Sequence, residues 1–165
     1  MRKYGLLGCF AVLLMVPSTS QAQVAFGPQV SWATEIEEIA VGARLQAGVP
    51  SLLAGLQLIG SADYYFVDCG DADCSTLDFN ANAAYSIMPA STLDLYVGGG
   101  LNIMRISVDL GELGDEAETD TGINILAGVK FPGTTIRPFA EGRYTLAGDF
   151  ENRFTITGGL LFGPR

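Results

Sequence analysis

The chain has 165 residues and a formal net charge of −9, from 18 acidic and 9 basic residues; 48% of residues are apolar and only 16% charged. This apolar fraction excludes a disordered chain, and the acidic balance leaves no electrostatic footprint for nucleic acid. There is no histidine, which removes His-based triads, His metal sites and His acid–base chemistry. In chain order, Arg2 and Lys3 precede the apolar run Leu6–Val16, which Pro17 breaks. Ser20-Gln21-Ala22 then supplies small residues for cleavage after Ala22. Residues 1–22 are expected to be a secretory signal peptide, and residues 23–165 the mature domain. The run is too short to span a bilayer as a helix. Leu6-Leu7-Gly8-Cys9 has the look of a lipoprotein cleavage box, but apolar sequence continues beyond Cys9, where such a box should close the run.

After residue 22 no 18-residue apolar stretch occurs, and the repeating signal is a two-residue alternation. The first segment carries Val24, Phe26, Val30 and Trp32 on one parity; the second carries Ile39, Val41 and Leu45. Leu56, Leu58, Tyr64 and Phe66 mark the third, and Leu77, Phe79, Tyr85 and Ile87 the fourth. The fifth has Leu93, Leu95, Val97, Leu101 and Ile103, and the sixth Ile123, Ile125, Val129 and Phe131. Ile136, Pro138, Ala140 and Tyr144 define the seventh, and Phe154, Ile156, Leu160 and Phe162 the eighth. Segments of about ten residues have the length that a tilted transmembrane strand needs. The predicted fold is an all-β, eight-stranded antiparallel up-and-down transmembrane β-barrel.

Charges well inside these segments fall on the opposite parity. They are Arg44, Lys130, Arg137 and Arg143, and against them Asp63, Asp78, Asp94 and Glu141. Tyr65, Tyr96 and Phe139 share that parity. Four charges of each sign suit an enclosed network, because buried charges must be paired. Arg105 breaks the rule at the very end of its segment, where it can reach an interface. The connections 50–55, 88–92 and 132–135 read as short turns. Those at 67–76 and 104–122 read as long acidic loops, with shorter acidic ones at 33–38 and 145–153. Aromatic residues gather toward both ends of the segments, as membrane interfaces favour.

Cys69 and Cys74 lie in the long connection 67–76, between the third and fourth segments, and an exported chain makes a disulfide between them the default. It would contribute roughly 2 kcal/mol by closing a tight loop.

The mature chain resembles the small outer-membrane β-barrel proteins of the OmpA, OmpX and opacity-protein kind. The resemblance rests on the signal peptide, the eight alternating segments and the Gly-rich stretch Tyr96-Val97-Gly98-Gly99-Gly100-Leu101. Arg137-Pro138-Phe139-Ala140-Glu141-Gly142-Arg143-Tyr144 and the closing stretch Phe154–Phe162 look like the last two strands of such barrels. One departure is that Gly163, Pro164 and Arg165 follow Phe162, where the family's assembly signal ends on an aromatic residue. The resemblance implies the outer membrane of a Gram-negative-type bacterium, with outer-membrane lipid, lipopolysaccharide and the barrel assembly machinery as partners. A monomer with a structural or surface-interaction role is expected.

No cofactor is expected, and no catalytic or metal-binding residue is nominated. Lipid-modifying barrels of this kind depend on His, which this chain lacks. Asp68, Asp71 and Asp73 could offer oxygens to Ca²⁺, but the spacing lacks a full binding loop. Asp109, Glu112, Asp115, Glu116, Glu118 and Asp120 read as a charged external loop. Gly98-Gly99-Gly100 is expected to make room for bulky inward residues or to bend the strand. Two other readings share the alternation: a soluble lipocalin-like barrel that binds an apolar ligand, and a small-solute porin. The soluble barrel would place its apolar parity inside and its charges outside, the reverse of a membrane barrel.

Overall fold

A computed structural model of the chain describes residues 23–35, 37–67, 73–87, 93–109 and 115–163. The expected signal peptide, Cys69, Asp68, Asp71 and Glu112 lie outside the described residues. Eight strands follow one another: β1 (Val24–Ala33), β2 (Glu38–Gly48), β3 (Leu56–Tyr65), β4 (Asp73–Ser86), β5 (Asp94–Asp109), β6 (Asp115–Lys130), β7 (Ile136–Ala147) and β8 (Arg153–Phe162). Each pairs antiparallel with its chain neighbours, and β1 pairs with β8 to close the barrel. Phe26 sits opposite Phe162 at that seam, their rings 6.5 Å apart. Closure leaves no free sheet edge around the body of the barrel, which is what lets strands cross lipid.

The apolar parity faces outward on all eight strands. Val30, Leu45, Leu58, Val97, Leu101, Ile125 and Ile156 are among the exposed residues, while Arg44, Asp78, Asn124, Glu141 and Arg143 are buried within. This is the reverse of a soluble carrier, so the lipocalin-like reading fails. A water-soluble barrel could not leave so continuous an apolar exterior uncovered. Trp32, Tyr64, Tyr144 and Phe154 are exposed toward one end, and Phe26, Tyr85 and Phe131 toward the other.

The long loop expected at 104–122 is instead largely strand among the described residues, and residues 73–76 of the one expected at 67–76 belong to β4. β4 has 14 residues, and β5 and β6 have 16 each, whereas β1 has 10. β5 and β6 stay in register as far as Asp109↔Asp115, and β4 pairs with β5 out to Asp73↔Asp109. By contrast, β3 parts from β4 at Tyr65↔Thr76, and β7 meets β6 only from Gly122↔Ala147. The ends of β4, β5 and β6 therefore project past their neighbours as a three-stranded flap. The acidic residues Asp115, Glu116, Glu118 and Asp120 belong to this flap and not to a loop. The hydrogen-bond ladder continues there without an apolar face, because strands outside lipid need none. Charge in the sequence was thus a poor signal for where pairing stops.

Candidate functional site

The interior of the barrel is the candidate site. Its side chains come from inward positions on all the strands, and they form three groups along the barrel.

The first group lies toward the end where β1 begins and β8 finishes. Lys130 Nζ on β6 is 2.8 Å from Asp94 Oδ2 on β5, its direct cross-strand partner. Lys130 also donates to Gln57 Oε1 at 2.7 Å. Gln57 in turn accepts from Gln46 and donates to Ser86. Arg137 occupies the same parity of β7 and is half-buried.

The second group crosses the middle. Arg44 Nη2 on β2 is 2.6 Å from Glu141 Oε2 on β7, with both side chains almost fully enclosed. Tyr96 donates its hydroxyl to the same carboxylate oxygen at 2.9 Å. The Arg44 guanidinium stacks 4.4 Å from the centre of the Phe139 ring. Such stacking adds attraction where water is scarce. Glu141 thus meets a cation from the far side of the barrel, not from an adjacent strand.

Two glycines make room for these aromatics. Tyr96 lies directly opposite Gly128, and Phe139 opposite Gly159. A Cβ on Gly128 would come 2.4 Å from the Tyr96 ring, and one on Gly159 would come 2.7 Å from the Phe139 ring. Bulky inward residues are thus accommodated by glycines on the adjacent strands, rather than by Gly98-Gly99-Gly100. Within that run, Gly100 lies between Asn82 and Asn124 in register. A Cβ there would meet the Asn82 amide oxygen at 2.5 Å.

The third group is a polar cluster toward the flap. Asp78 on β4 receives Arg143 from β7 and Arg153 from β8, each at 3.2 Å. It also accepts from Asn80 and Asn102. Asn124 donates to Asn80 Oδ1 and Asn82 Oδ1 at 2.9 Å, and accepts from Thr145 at 2.8 Å. Asp63 lies directly opposite Asp78. Among the described residues Asp63 has no cation within 4.0 Å. Gln29 Nε2 instead donates to both of its oxygens, at 2.7 and 2.9 Å. Gly42 lies between Gln29 and Asp63 in register, and a Cβ there would run into the Asp63 carboxylate.

The structure therefore places Arg44, Asp63, Asp78, Asp94, Lys130, Glu141 and Arg143 inside, but not as a simple four-against-four set. Arg153 is a further buried cation, and it shares Asp78 with Arg143. Sequence reading left it in the connection 145–153. The continuous parity of Arg153, Thr155 and Thr157 was the signal that could have assigned it to the strand. Asn80, Asn82, Asn102 and Asn124 lie on the same inward parity as the charges, and the closed barrel is what joins their amides into one cluster.

Cys74 lies in β4 and is disulfide-bonded. Its expected partner Cys69 is outside the described residues. Outside the barrel body, Glu35 in the connection after β1 accepts from the Thr34 hydroxyl and the Phe154 N–H, both at 2.7 Å. Slight burial acts to raise its pKa, but these bonds and the charge of Arg153 bring it below the ordinary value of 4.5.

No protein-family model matches the sequence, and no curated protein sequence matches it. Solved structures do. The N-terminal β-barrel domain of OprF from Pseudomonas aeruginosa superposes with a TM-score of 0.68 at 18% identity, covering 88% of this chain and 99% of that one. Neisserial surface protein A gives 0.58 at 21% identity, covering 86% and 94%. The attachment invasion locus protein of Yersinia pestis, Ail, gives 0.56 at 15% identity, covering 87% and 96%. At these identities the likeness speaks for the fold: the chain has the fold of the small eight-stranded outer-membrane β-barrels.

Proposed function

We propose that this protein is an integral outer-membrane barrel with a structural or surface-interaction role, its lumen closed by the interior network. The cross-barrel cluster of Arg44, Glu141, Tyr96 and Phe139 carries this reading. An eight-stranded barrel is just wide enough for side chains to fill. A salt bridge stacked on two rings at mid-barrel leaves no room for a continuous wide column of water. The Nε atoms of Arg143 and Arg153 make no bond within the described residues, so enclosed water can serve them. The reading involves no catalytic step.

Planar-bilayer recording of the purified full chain tests it. Small and infrequent current steps, or none, are expected. Large, steady conductance would refute the closed lumen and favour small-solute diffusion.

A further inference from the structure

Six lysine and arginine residues lie among the described residues. Arg44, Lys130, Arg143 and Arg153 are buried inside, and Arg137 occupies the inward parity of β7. Arg105 alone points outward, exposed, on β5. Among the described residues it has no hydrogen-bond or ion-pair partner. An unpaired guanidinium on the outside of an acidic protein calls for an explanation.

Its position gives one. The outward face of β5 runs Leu101, Ile103, Arg105, Ser107, changing from apolar to polar within one step. Arg105 stands opposite Thr119 on β6. One step toward the lipid, Ile103 stands opposite Phe79 and Thr121. The guanidinium is therefore placed where the lipid-facing band ends, with the hydroxyl-bearing residues Ser107, Thr119 and Thr121 along β5 and β6 and the apolar Leu77 opposite it on β4. The nearby acids Glu118 and Asp120 lie on the other parity of β6, facing away from this surface.

From this we infer that Arg105 and its hydroxyl neighbours form a binding surface for the phosphate of a membrane lipid headgroup, whose acyl chains lie along Ile103 and Phe79. A guanidinium offers phosphate a planar fork of donors. Hydroxyl groups can add neutral donors without competing charge. The inference rests on the outer-membrane reading proposed above.

The test uses the full-length mature chain inserted in phosphatidylcholine vesicles containing a minor fraction of bisphosphorylated lipid A. After detergent extraction, the lipid A retained per protein is measured by mass spectrometry. Arg105→Gln should lower retention about fivefold, the factor expected for about 1 kcal/mol from one cation at an anionic surface. Arg105→Lys should restore most of it, and lipid A stripped of its phosphates should not be enriched by either protein. Millimolar inorganic phosphate should not displace the lipid; displacement would reveal a free-anion site and overturn the inference. Equal retention by wild type and Arg105→Gln would also overturn it. Failure of the wild-type chain to insert at all would overturn the outer-membrane reading itself, and this inference with it.

Discussion

Arg44 on β2 and Glu141 on β7 are 97 positions apart in sequence and meet at 2.6 Å in the middle of the barrel. Neither strand touches the other in the sheet, so the contact spans the lumen. The Tyr96 hydroxyl adds a second donor to the same carboxylate oxygen, while the buried Arg44 Nε has no hydrogen-bond partner among the described residues.

Breaking that pair from one side should be costly. Glu141→Gln leaves the Arg44 charge enclosed without its counterion, and should destabilise the barrel by about 3–5 kcal/mol. Replacing both residues, as Arg44→Met with Glu141→Leu, should recover most of the loss. Urea unfolding in lipid vesicles measures both, and additive losses would mean that the two side chains are not coupled.

The outward face should reject charge. Val97 and Ile125 are both exposed on the exterior, and Arg at either position should cost ~2–4 kcal/mol near the bilayer midplane. Asn124, buried inside, should respond to a different change. Asn124→Leu removes the donor shared by Asn80 and Asn82, at a cost of about 1–3 kcal/mol. The same unfolding measurement should show Ile125→Leu to be nearly silent; a large effect there would contradict exposure to lipid.

Tyr96 and Gly128 should behave as one unit. Gly128→Ala puts a methyl group into the Tyr96 ring and should destabilise by about 1–3 kcal/mol through overpacking. In a Tyr96→Leu background the same substitution should cost much less. A double-mutant cycle without coupling would show that the ring does not lean on the glycine.

Cys74 should be paired with Cys69 in the exported protein. Alkylation without reduction, followed by mass spectrometry, should leave both residues unlabelled. Reduction should loosen the region around the flap more than the body of the barrel, because the strand ladder is closed independently of the bridge. Labelling of both thiols in unreduced protein would disprove the pairing.

Glu35 ties the start of β8 to the connection after β1. Its folded pKa is depressed, so this tie is fully present above its ordinary value of 4.5. It weakens as pH falls through the lower folded value, where protonation removes the charge that the Phe154 N–H binds. In an NMR titration the Phe154 amide resonance should move only below pH 4.5, and Glu35→Gln should abolish that movement. An unchanged titration in the variant would assign the shift elsewhere.

By itself the sequence determined the number of strands, their two parities and the sharing of one parity by Arg44, Asp63, Asp78, Asp94, Lys130, Arg137, Glu141 and Arg143. These follow from a local rule, since neighbouring side chains on a strand point to opposite faces. Only the tertiary structure decided which parity faces outward, because the alternation reads the same in a lipid barrel and a soluble one. It also decided partners. Whether Glu141 meets Arg44 or Arg143 depends on how eight strands are staggered around a closed ring, which no single strand encodes. The flap was hidden for a related reason: beyond the lipid the backbone ladder continues, while the hydrophobic alternation that would announce it has no surface to bury and fades.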